Sequence, residues 1–185
     1  MNWVTRILHA LWGLFAWLCF GMVLIFALLM TIFVPGKERR ERLAAAASRA
    51  VFVLPGIRVN AIGLENVPDE SCVVVANHAS YIDGSLLNGY LHARFSFVIK
   101  GELRNIPVVH FVLRRAGAKF VERNKHSGSA RDARQIVKAA QGGESLAFFP
   151  EGTFRKEPGV GQFRPGAFVA AVRGRMPVVP VAISG

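Results

Sequence analysis

Between Ile7 and Val34 the chain carries no Asp, Glu, Lys or Arg, and His9 and Thr31 are its only clearly polar side chains. An uncharged apolar run longer than about 18 residues reads as a membrane helix. As a straight helix this one would measure roughly 42 Å, against a hydrocarbon core of roughly 30 Å. It must therefore tilt, kink or lie partly in the interface. Trp3, Trp12 and Trp17 suit a headgroup-level belt at its start. A signal peptide fits less well, because the apolar region is too long and no small-residue cleavage site follows it.

Pro35-Gly36 ends the run, and Lys37-Glu38-Arg39-Arg40-Glu41-Arg42 follows directly. A solvated helix start with internal Glu–Arg pairs is one reading of that stretch. A basic collar at lipid headgroups is favoured, since it abuts the oily segment. The positive-inside rule then puts the rest of the chain in the cytoplasm, on the inner face of a bacterial membrane. Leu43–Leu54 is a second apolar helical piece, too short to span, so a hairpin within one leaflet competes with a simple span. Residues 1–55 are expected to form the anchor and 56–185 a separate domain.

In that second part, apolar runs alternate with helical spacings. Strands are expected at Ile57–Ile62, Cys72–Ala76, Phe95–Ile99, Lys119–Glu122, Ser145–Phe149 and Val178–Ile183. Helices are expected at Ile82–Leu91, Leu103–Arg115, Ser129–Gln141 and Gly166–Arg173, the third stopped by Gly142-Gly143. The alternation predicts an α/β fold: a mostly parallel central sheet flanked by helices, preceded by the membrane-embedded helix or hairpin.

Open parallel sheets bind ligands beyond the carboxyl ends of their strands. Asn77-His78 follows one strand, Arg123 another, and Pro150-Glu151-Gly152-Thr153-Phe154-Arg155 a third. His78 and Asp83 also stand five positions apart in a loop that opens a helix. A histidine oriented by a carboxylate is a minimal general base. On spacing alone the pair is weak, because Asp83 also suits the first turn of a helix. Pro150–Thr153 likewise reads as an ordinary turn. In the functional reading, Gly152 admits a phosphate to the backbone and Glu151 orients a cation or a substrate hydroxyl.

A formal net charge of +11 points to anionic partners. Arg114, Arg115, Arg131, Arg134 and Lys138 read most simply as solvated helix faces, whereas Arg123, just past a strand end, reads as a phosphate ligand. His92, His110 and His126 have no partner nearby in sequence and read as surface or core residues. Cys19 and Cys72 both lie in apolar runs and indicate neither a disulfide framework nor a zinc site. Phosphate-loop, dinucleotide and nucleophile-elbow signatures are missing, as is any motif for reading nucleic acid.

Four segments, taken in order, resemble the blocks of the glycerolipid acyltransferases of the 1-acylglycerol-3-phosphate acyltransferase type. Asn77-His78-Ala79-Ser80-Tyr81-Ile82-Asp83 is similar to the His-x-x-x-x-Asp block. Gly117–Arg123, Phe149–Thr153 and Val178–Val181 are similar to the second, third and fourth. Lys100-Gly101-Glu102-Leu103, with Pro107 beyond, also fits, and the likeness covers about residues 56–185. Phe154 intervenes where the family's third block usually has arginine, so the arginine here is Arg155.

The resemblance implies His78 as base and Asp83 as its orienting partner. It implies an acceptor phosphate held by Arg123, Glu151, Gly152, Thr153 and Arg155. It further implies a lysophospholipid acceptor, with acyl-CoA or acyl-carrier protein as co-substrate and neither cofactor nor metal. Such enzymes continue for several elements beyond the fourth block, so the sequence is expected to be C-terminally truncated. The alternatives are another lysolipid or glycerol 3-phosphate as acceptor, or a membrane module that binds anionic lipid without chemistry.

Overall fold

The computed structural model describes residues 2–122, 126–153 and 159–185, without the side chains of residues 126–129. The chain divides into two compact units, Met1–Ile62 with Ser85–Ala93, and Gly63–Gly84 with Arg94–Gly185.

The first unit is helical. The uncharged run folds as one 31-residue helix, α1 (Trp3–Phe33). Gly36, at φ +85°, reverses the chain in a conformation that disfavours any side chain. The basic stretch then forms the opening turns of α2 (Lys37–Val53), which begins earlier than its apolar residues alone predict. Lys37–Glu41 and Glu38–Arg42 pair along it at i,i+4 spacing. Arg40 Nη1 donates to Val34 O at 3.3 Å, satisfying a carbonyl at the end of α1. α1 packs along α2, and Trp12 Nε1 donates to Pro55 O at 3.1 Å. Apart from the exposed Arg6 and His9 near its start, the remaining surface of α1 is largely apolar and open, with Leu18 64% and Ile25 62% exposed.

Ser85–Ala93 completes this unit and carries α3 (Asp83–Tyr90) from Ser85 onward. Arg49 grips Gly89 O with two donors, at 3.0 and 2.8 Å, and lies over the Tyr90 ring. The backbones come so close that a Cβ on Gly89 would meet Arg49 N at 2.9 Å.

The second unit is built on five parallel strands in the order β3-β2-β4-β1-β5. These are β1 (Val73–Ala76), β2 (Ser96–Lys100), β3 (Lys119–Val121), β4 (Leu146–Phe148) and β5 (Val178–Val181). Helices α4 (Pro107–Arg115), α5 (His126–Gln141) and α6 (Gly166–Gly174) connect them. β1 is buried at every position, as a strand covered on both faces must be. Val73, Val75, Val98, Leu146 and Phe148 form the core with Ile136, Ala139 and Ala140 of α5 and the alanines of α6.

The expected α/β architecture is the one observed, with two local corrections. Ile57–Ile62 joins no sheet, and Ile62 is 93% exposed. Alternating residues without a neighbouring strand make no ladder. The helix expected over Leu103–Arg115 is split into a 3-10 turn, Gly101–Asn105, and α4, which starts at Pro107. Proline bars the residue before it from helical geometry, and Ile106 sits extended at φ −106°, ψ 98°.

Candidate active site

Because all the strands are parallel, their carboxyl ends open on a single edge of the sheet. β1 leads there into Asn77-His78, β4 into Phe149-Pro150-Glu151, β2 ends at Lys100, and β5 runs on towards Ile183.

The loop after β1 closes on Asp83, the first residue of α3. Its Oδ2 accepts from His78 Nδ1 at 3.0 Å and from the N–H groups of Ala79 and Ser80 at 2.7 and 2.8 Å. Asp83 is 3% exposed, and its place in the first helical turn also suits a negative charge. With Nδ1 donating to the carboxylate, the tautomer is fixed and proton transfer falls to Nε2. The imidazole stacks on Phe149, ring centroids 4.1 Å apart and planes 20° from parallel. The expected pair is therefore assembled, in geometry suited to a general base. Ser80 Oγ accepts from Ile82 N at 3.4 Å, a turn contact.

Glu151 is turned inward. Its Oε1 accepts from His78 N at 3.0 Å, its Oε2 accepts from Gly161 N at 2.8 Å, and it is 8% exposed. Gly152 follows at φ +79° and donates its N–H to Phe149 O at 3.0 Å, so the turn itself calls for glycine. Thr153 is exposed. Arg123 and Arg155, both expected to hold phosphate, lie outside the described residues.

Two residues at this edge lie within the motif blocks, but no role for either was read from the sequence. Lys100 places Nζ 3.4 Å from Thr153 Oγ1. It is the last residue of β2, so the strand-end rule that singled out His78 applies equally to it. Asn77 donates from Nδ2 to Ile183 O at 2.9 Å and accepts from Ile183 N at 2.7 Å.

Cys72 lies at the opposite end of β1. Burial pushes its thiol up, and Arg94 only partly offsets this, so it supplies no thiolate near His78. Among the described residues no three His, Cys, Asp or Glu side chains converge as metal ligands. Arg131 and Arg134 are solvent-facing, as expected, and His110 packs edge-on against Phe120.

The family model described as Acyltransferase matches residues 58–184. A curated relative from Arabidopsis thaliana, the chloroplastic 1-acyl-sn-glycerol-3-phosphate acyltransferase LPAT1, is 29% identical over 83% of this chain and 44% of its own length. The 1-acyl-sn-glycerol-3-phosphate acyltransferase of Pseudomonas aeruginosa is 30% identical over 70% of this chain and 51% of its own. The chain thus spans about half the length of the curated relatives it matches. Among solved structures, the 1-acyl-sn-glycerophosphate (LPA) acyltransferase of Thermotoga maritima superposes with a TM-score of 0.77 at 27% identity. That likeness covers 97% of this chain and 76% of the other.

Proposed function

The chain belongs to the acyltransferase family, and we propose that it moves a fatty acyl group from an acyl thioester to the free hydroxyl of lysophosphatidic acid, giving phosphatidic acid. The observation that carries this reading is the His78–Asp83 pair at the carboxyl edge of the sheet, 3.0 Å between Nδ1 and Oδ2. The names of the relatives supply the acceptor.

In this reading His78 Nε2 takes the proton of the acceptor hydroxyl as its oxygen attacks the thioester carbonyl. Asp83 holds the tautomer and stabilises the imidazolium that forms. When the tetrahedral adduct collapses, the C–S bond breaks and the thiol of coenzyme A or acyl-carrier protein leaves with the proton from His78. No covalent acyl-enzyme is needed, and such base catalysis contributes on the order of 10²–10⁴ in rate.

The acceptor phosphate is assigned to Thr153, which follows the turn that Gly152 shapes, together with Lys100, Arg123 and Arg155. Lys100 already reaches Thr153 Oγ1, which places one cation beside that hydroxyl. Tyr81 and Ile82, 86% and 46% exposed beside the catalytic loop, offer apolar surface to a lipid. The apolar α1 and the basic start of α2 support attachment to the inner bacterial membrane, with the chemistry on its cytoplasmic face.

Thiol release by the purified protein in detergent tests the reading. The panel pairs acyl-CoA and acyl-carrier protein with lysophosphatidic acid, glycerol 3-phosphate and other lysolipids. Release is expected to depend on lysophosphatidic acid and to fall to background in His78→Ala. A fully active His78→Ala variant would sink the proposal.

A further inference from the structure

We propose that Asn77 and Glu151 are positioning residues that hold the main chain of His78, so that the imidazole is aimed from its backbone as well as by Asp83. This rests on the base role given to His78 above.

β1 stops pairing at Ala76, opposite Val181 of β5, one residue before the catalytic loop begins. A chain leaving a sheet loses its ladder bonds, and motion in the backbone there carries the ring with it. Asn77 makes up the loss with its side chain. The amide is a peptide group in miniature, and it both donates to and accepts from Ile183, as a neighbouring strand residue would. The pairing of β1 with β5 therefore extends past the last ladder residue, up to the residue before His78.

Glu151 acts on His78 itself. One carboxylate oxygen takes the His78 N–H and the other the Gly161 N–H, both through charge-assisted bonds. Two residues earlier, Phe149 stacks on the ring. The segment leaving β4 thus sets both the plane of the imidazole and the height of the backbone that carries it. Charge argues the same way. A carboxylate aimed at the acceptor would repel its phosphate, whereas one aimed at two backbone N–H groups does not.

Glu151→Gln and Asn77→Asp test this with little change of volume. Gln puts an NH₂ where one backbone N–H needs an acceptor. Asp cannot donate to Ile183 O. In each variant kcat is expected to fall on the order of 10²-fold, as for a reacting group displaced by a fraction of an ångström to an ångström. KM for lysophosphatidic acid should stay within about twofold. Amide hydrogen exchange should quicken at His78 and Gly161 in Glu151→Gln, and at Ile183 in Asn77→Asp.

A raised KM with kcat unchanged would make Glu151 an acceptor ligand and overturn the proposal. So would lowered melting temperatures with kcat and KM both intact, the mark of a purely structural role. Far-UV circular dichroism checks folding, and if Glu151→Gln does not fold, Asn77→Asp decides by the same readings. Exchange does not depend on turnover. Unchanged protection at His78 in folded Glu151→Gln overturns the clamp, whereas an inactive wild-type protein with the expected exchange pattern overturns the acyl-transfer reading instead.

Discussion

Asp83 Oδ2 takes three N–H groups at once, so this one oxygen orients the ring and also folds the loop that carries it. Asp83→Asn keeps the volume but removes the charge that stabilises the imidazolium. Its acyl-transfer rate is expected to drop by about 10³–10⁴-fold with secondary structure retained, measured by single-turnover transfer and circular dichroism. The pair was legible in sequence because both members lie in one short loop at a strand end. Glu151 was visible as a motif residue, but its role was not. Its partners are His78, 73 positions away, and Gly161, across residues 154–158. Asn77 was written in the same motif as His78, yet its partner is 106 positions further on. Spacing shows which residues are near in the chain, and only the strand order shows which main-chain groups they meet.

Among the elements, the end of β3 is tied down by a second carboxylate. Asp132 of α5 accepts both Arg104 Nη groups at 3.0 Å and the Glu122 N–H at 2.8 Å, while Arg104 Nη2 also donates to Phe120 O. Burial alone would push the Asp132 carboxyl up. The Arg104 and Glu122 hydrogen bonds, with the charges of Arg104 and Arg131, outweigh it and hold the carboxyl below the usual aspartate range. A carboxyl depressed in the folded state stabilises the fold above its unfolded pKa, and that contribution is lost as pH falls through the folded value. Urea midpoints of the wild-type protein should therefore drop below the ordinary aspartate range more steeply than those of Asp132→Asn. Asp132→Ala should cost about 2 kcal/mol at neutral pH, from the unsatisfied Glu122 N–H and the lost charged bonds. At this scale most of the fold could be read in advance, since apolar runs and glycine stops mark where strands and helices begin and end. What failed was context: Ile57–Ile62 has the composition of a strand and no neighbour, and Pro107 outranks the helical spacing around it.

For the whole molecule, the exposed apolar length of α1 makes a direct prediction. Leu18→Lys with Ile25→Lys puts two charges where the helix is 64% and 62% open, each costing roughly 2.5–3.5 kcal/mol at a bilayer centre. The wild-type chain should float with phospholipid vesicles in a density gradient, and the double variant should stay with the soluble fraction. A boundary at residue 55 was the natural reading of the sequence. That Ser85–Ala93 joins the first unit was not readable, because nothing in a local stretch says which distant helix it will pack on. The strand order also sets a schedule. β1 is made first, but both its neighbours, β4 and β5, come later in the chain. On the ribosome, at about 5–20 residues per second, His78 has left the peptidyl transferase centre several seconds before Ile183 is synthesised. Until then β1 can pair with β4 on one side but lacks β5 on the other, and Asn77 lacks its partner Ile183, so this side of the sheet waits on long-range closure.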